Sequence, residues 1–190
     1  MVPFSLRGMA SGIFGQMDLP LTAEGVRQAE ALQQRLQQVP ISTIFCSNLR
    51  RSAETARIIA APHGLELCAR QDLREIGLGE WEGLTFDQVQ KIFPQAYEER
   101  GRDLVHFRPP GGESFLDCAF RVIPALYDML HLTRGNILIV GHAGVNRILL
   151  SQIMGKSAEN LFEIAQDYGC LNMILYHDFS FKLQVVNASV

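Results

Sequence analysis

The hydrophobic pattern of the chain alternates between two periods. Residues 23–38 place Val26, Ala29, Leu32 and Leu36 on one face and Glu24, Arg27, Gln28 and Arg35 largely on others. That spacing predicts an amphipathic helix, capped by Thr22 and closed by Pro40. Residues 41–46 are a short apolar run that reads as a strand, and a second helix opens at residues 47–51 and runs through SAETARIIAAP. Another short strand is predicted at 65–68. Residues 84–105 read as helical with interruptions at Pro94 and Gly101, and their charged string YEERGRD predicts exposure. PPGGES, residues 109–114, breaks the chain, and Ser114 with Asp117 three residues later is a capping box for a helix reaching about His131. Pro124 should bend that helix.

The stretch ILIVGHAGVNRILL, residues 137–150, packs an apolar run, a glycine-flanked histidine and a second apolar run together. Residues 137–140 are β-branched or aliphatic without charge, as expected of a strand buried on both faces of a largely parallel sheet. From Val145 the apolar positions Val145, Ile148, Leu149 and Ile153 recur at helical spacing. Residues 171–176 and 181–186, joined by HDFS, predict a terminal antiparallel hairpin. At the amino end, residues 2–6 suit a short strand weakened by Pro3, and Gly8, Gly12 and Gly15 mark a loop. Strands alternating with helices predict a three-layer α/β/α sandwich with a largely parallel central sheet.

Composition narrows the picture. A chain of 190 residues suits one domain, here with a small insertion or cap at about 84–112. A net charge of -3 argues against general binding to nucleic acid, so any anion site must be local. Cys46, Cys68, Cys118 and Cys170 form no CxxC pair, which points to reduced, buried thiols in a cytoplasmic protein rather than to zinc or a redox dithiol. No apolar run approaches the ~20 residues of a membrane span, and residues 1–9 make a poor signal peptide.

Candidate chemistry gathers at strand ends. His142 sits where a strand's carboxyl end meets a helix amino end, the edge at which open α/β sheets bind ligands and helix termini favour anions. Arg50 and Arg51 also follow the end of a predicted strand. They read either as a solvated surface pair or as a planar, permanently charged phosphate grip at the same edge. Glu75, Glu80 and Glu82 cluster around three glycines and Trp81. This is either a carboxyl held against apolar surface so that it keeps a proton, or a charged loop anchored by the tryptophan.

Five pieces in order carry a resemblance: DLPLTAEGVRQAEAL at 18–32, CSNLRRSAETA at 46–56, LREIGLGEWEG at 73–83, PPGGES at 109–114 and VGHAG at 140–144. Together they resemble the histidine phosphatase superfamily, the phosphoglycerate mutase-like group, and within it the small α-ribazole phosphatases. The resemblance implies a phosphoester hydrolase acting on a small phosphorylated metabolite, without metal or other cofactor and without nucleic-acid or membrane partners; it leaves the oligomeric state open. It also implies that Arg51 grips the phosphoryl oxygens, that His142 stands beside the phosphoryl group and stabilises its charge, and that Glu75 protonates the leaving oxygen and later helps activate water. Glu82 is the less favoured acid.

The family's first motif, Arg-His-Gly, is where the chain departs. It offers Leu6, Arg7, Gly8 and Met9 instead. Aligned on Gly8, either Arg7 stands in the place of the nucleophilic histidine, or one residue is lost and Arg7 is the family's phosphate-binding arginine. An arginine has no free lone pair with which to attack phosphorus. None of His63, His106, His131 and His177 lies in a matching motif, although His106 falls in the expected insertion or cap at about 84–112. The alternative function is therefore a catalytically inactive phosphoester-binding or regulatory homologue.

Overall fold

The computed structural model describes residues 12–189. Arg7 and the predicted strand at 2–6 lie outside the described residues. The helices are α1 (Ala23–Leu36), α2 (Arg50–Ala60), α3 (Phe86–Ile92), α4 (Pro94–Arg102), α5 (Phe115–Leu132) and α6 (Ala143–Met154). The strands are β1 (Ile41–Ser47), β2 (Leu67–Arg70), β3 (Asn136–Val140), β4 (Leu171–His177) and β5 (Ser180–Ala188). Among the described residues β1 lies between β2 and β3 in a parallel sheet, and β4 and β5 form a separate antiparallel pair. The α/β reading holds, with helices packed on the parallel sheet.

The predicted caps form as chemistry dictates. Thr22 Oγ1 accepts from Gly25 N at 3.0 Å, and Ser114 and Asp117 close a reciprocal box at the start of α5. The HDFS link is a tight turn in which Asp178 and Phe179 both take positive φ, the geometry that suits two-residue hairpins.

Two details differ from the sequence expectation. Gly101 does not interrupt its helix, because α4 ends one residue later at Arg102 and a glycine in a last turn costs little. In β3 only Val140 is fully buried, so the strand is not covered on both faces along its length. Its carboxyl end is the well-packed part, in a cluster with Ile44, Cys46, Ala56 and Ala60.

Register places the chemistry. Cys46 of β1 pairs with Val140 of β3, so the two strands finish level with one another. The chain leaving β1 enters α2 at Arg50, and the chain leaving β3 enters α6 after His142. Ser52, fully buried, joins the two exits: its Oγ donates to Val140 O at 2.7 Å and accepts from Ser47 N at 3.1 Å.

Candidate active site

His142 is the N-cap residue of α6 and only 2% exposed. Its side chain does not cap the helix, and Nε2 is buried without a hydrogen-bond partner among the described residues. Burial first, and then the positive charges of Arg51 and Arg121, hold its pKa well below the ordinary 6.5. The imidazole is therefore neutral near pH 7 and keeps a free lone pair on one nitrogen.

The capping is done by Glu75, from 69 residues earlier in the chain. Its Oε2 accepts from Gly144 N at 3.1 Å and its Oε1 from Val145 N at 3.3 Å, with a further bond from Ile76 N at 3.0 Å. These are the second and third amides of the helix, the donors that an N-cap side chain ordinarily satisfies. A carboxylate there also meets the positive end of the helix dipole. Gly144 leaves room for this contact, since a Cβ on it would stand 2.6 Å from Glu75 Oε1 and would displace the carboxylate.

Arg51 is buried, and the surface-pair reading applies only to Arg50, which is exposed. Arg51 Nη1 donates to Met17 O at 2.7 Å and Nη2 to Gly15 O at 2.8 Å. Burial lowers its pKa, opposed by the nearby charges of Glu75, Asp18 and Glu82, and the guanidinium remains protonated. Asp18 Oδ1 accepts from Arg50 N at 2.7 Å and Glu54 Oε2 from Leu21 N at 2.9 Å, so the loop before α1 is tied to the start of α2.

Of the three clustered glutamates, Glu80 is exposed and Glu82 faces backbone. Glu82 Oε1 accepts from Gln16 N at 2.7 Å and Leu78 N at 3.1 Å. The loop is also anchored by its tryptophan, as the alternative reading expected: Trp81 is fully buried, with its ring 5.5 Å from Phe107. The tryptophan anchor is realised, and Glu75 of the same segment is held by backbone amides rather than against apolar surface. The structure brings Glu75, Arg51 and His142 into one electrostatic neighbourhood. His106 and His177 instead take Asp103 and Asp178 as surface partners, and His131 bonds Tyr127 O. Among the described residues no group of three or more His, Cys, Asp or Glu side chains is arranged to hold a metal.

The sequence profile of the histidine phosphatase superfamily (branch 1) matches residues 7–189. The chain belongs to this superfamily. Adenosylcobalamin/α-ribazole phosphatase of Escherichia coli (strain K12) is 30% identical over 177 residues, 92% of this chain and 86% of that protein. Phosphoglycerate mutase-like protein 4 of Arabidopsis thaliana is 38% identical over 141 residues, 72% of this chain and 61% of that protein. Among solved structures, the α-ribazole phosphatase from Shigella flexneri superposes with a TM-score of 0.86 at 30% identity, covering 93% of this chain and 88% of that one. The mycobacterial glucosyl-3-phosphoglycerate phosphatase superposes at 0.84 with 28% identity, covering 94% and 92%. The phosphoglycerate mutase-like fold expected from the motifs is thereby established for this member of the histidine phosphatase superfamily.

Sequence reasoning missed Arg121 and gave Glu113 no role. Arg121 bonds both oxygens of Glu113 at 2.8 Å and also reaches the carbonyls of Asp72, Arg74 and Glu75. The available signal was an arginine at helical spacing from the Ser114 cap, inside an otherwise strongly apolar helix.

Proposed function

We propose that this histidine phosphatase superfamily protein is a phosphomonoester hydrolase that acts on a small phosphorylated metabolite, in the manner of the α-ribazole phosphatases it resembles, within a single domain capped by residues 84–112. The observation that carries the reading is the pairing at α6: a buried, neutral His142 with an unpartnered Nε2, beside amides that already hold an anion, the Glu75 carboxylate. Arg51 supplies permanent positive charge to the phosphoryl oxygens, and Arg7 joins it if it takes the place of the family's phosphate-binding arginine. Such charges lower the barrier to phosphoryl transfer by stabilising the charge on the transferring group.

All five histidines lie at or after His63, so the chain carries none at its first motif. Without that nucleophile, turnover proceeds by direct attack of water. The water oxygen forms a bond to phosphorus as the ester P–O bond breaks. Glu75, ionised while the α6 amides hold it, takes up a proton from solvent as it leaves them and gives it to the leaving oxygen, and His142 Nε2 takes one from the attacking water. Release of that proton from His142 to solvent and return of the ionised carboxylate to the amides reset the site. Glu75 has to leave the α6 amides to reach the ester, which makes room there for a phosphoryl oxygen.

The same absence favours a second reading, a phosphoester-binding homologue without turnover. One experiment separates the two: phosphate release from a generic aryl phosphate, measured for the chain as it stands, for Arg7→His and for a variant with histidine inserted between Arg7 and Gly8. Release by the unsubstituted chain supports the hydrolase. Release only after restoration supports the binding homologue with an intact pocket, and no release by any of the three removes the hydrolase reading.

A further inference from the structure

Glu113 and Arg121 touch the chain on both sides of Glu75 without belonging to the phosphate grip. Arg121 Nε donates to Glu113 Oε1 and Nη2 to Glu113 Oε2, both at 2.8 Å. Nη1 reaches Asp72 O and Arg74 O, each at 2.8 Å, and Nη2 also reaches Glu75 O at 3.1 Å. From the other side, Glu113 Oε2 accepts from Gly77 N at 2.8 Å and from Gln16 Nε2 at 3.4 Å, and Gln16 Nε2 donates to Glu75 O at 3.0 Å.

Residues 74–78 belong to no helix or strand, so no ladder holds their backbone groups. Partly buried carbonyls of that kind need partners from elsewhere. One planar guanidinium satisfies two of them, Arg74 O and Glu75 O, together with Asp72 O in the preceding turn, and its carboxylate partner takes the amide two residues past Glu75. We propose that Arg121 and Glu113 are positioning residues for Glu75. They fix its Cα so that the carboxylate reaches Gly144 and Val145, and they set where the acid stands when a phosphoester arrives. The catalytic part of this inference rests on the phosphatase reading; the placement of the carboxylate does not.

The geometry demands arginine. A lysine ammonium cannot span two carboxylate oxygens and three carbonyls from one side chain. The charge is also sustained: burial is the largest single influence and opposes it, but the bond to Glu113 and the neighbouring negative charges of Glu113 and Glu75 together raise the Arg121 pKa, while Arg121 and the Gly77 amide draw the Glu113 pKa down against its own burial.

The test is spectroscopic. In 1H–15N spectra of the full chain, Gly144 and Val145 amide protons carry the downfield signature of a carboxylate acceptor, and Glu75→Gln marks their positions without one. Arg121→Met and Arg121→Lys should both move these two amides towards the Glu75→Gln positions while the remaining spectrum stays dispersed. If Arg121→Met does not fold, Glu113→Gln is the second variant, with the same two amides expected to move. Unchanged Gly144 and Val145 signals in the folded variants, or full restoration by lysine, would overturn the positioning role. Calorimetric titration of the unsubstituted chain with inorganic phosphate runs alongside. Its failure would count against the phosphatase reading and leave the amide signature to decide this one.

Discussion

The Glu75 carboxylate and the Gly144 amide, 69 residues apart in sequence, meet at 3.1 Å and cap the helix that His142 begins. The two halves of the candidate site are therefore mechanically coupled. Whatever moves the carboxylate changes the amino end of α6, and whatever fills that end displaces the carboxylate.

Gly144→Ala probes this coupling. The added methyl would lie 2.6 Å from Glu75 Oε1 and 3.5 Å from Ile76 Cγ2, so the carboxylate must shift. Alanine gains helix propensity of about 1 kcal/mol over glycine, but crowding costs on the order of 1–3 kcal/mol. We expect net destabilisation in urea unfolding. In a Glu75→Ala background the same substitution should be neutral or stabilising, and equal effects in both backgrounds would show that the two residues are not coupled.

Arg51→Ala should abolish measurable phosphate binding in calorimetry and also weaken the fold. It leaves Gly15 O and Met17 O without the guanidinium they now accept from, a loss of roughly 1–3 kcal/mol. Arg51→Lys keeps the charge and not the fork, so it should recover only part of either property. Phosphate affinity unchanged in Arg51→Ala would remove this residue from the site.

The depressed His142 pKa makes stability depend on pH. In the folded chain the imidazole stays neutral below 6.5, whereas in the unfolded chain it takes up a proton around that value. The unfolded state then binds more protons, so unfolding free energy falls as pH drops through the window beneath 6.5. Thermal melts from pH 7.5 to 5.5 should show this decline, and His142→Asn should flatten it. An identical slope in the variant would assign the acid sensitivity to other groups.

Thiol reactivity should rank by burial. Burial pushes Cys46 up to about 11 and Cys118 up to about 12, and both are fully buried, whereas Cys68 is exposed. Because the thiolate is the reactive form, an aromatic disulfide reagent at pH 8 should modify Cys68 first and leave Cys46 and Cys118 unmodified until denaturant is added. Mass spectrometry of the labelled peptides reads the order directly.

Local chemistry made much of this protein legible from its sequence. The amphipathic period of α1, the Thr22 and Ser114 caps, the strand-to-helix passage at His142 and the hairpin at 177–180 follow from interactions within a few residues. Propensity and hydrophobic spacing report such interactions directly. The family, too, was carried by short ordered motifs that pair each functional side chain with its local turn. The motifs singled out Arg51 and Glu75, but only the tertiary structure showed how they are held: Arg51 turns inward onto Gly15 O and Met17 O, and Glu75 caps α6 while Glu82 takes the Gln16 and Leu78 amides. The tertiary structure alone showed that Arg121 clamps the segment before Glu75. Those outcomes depend on the β1–β3 register and on carbonyls whose lack of a ladder appears only once the chain is folded. Residues distant in sequence then meet because buried polar groups must find partners, and the identity of the partner is a property of the packed fold.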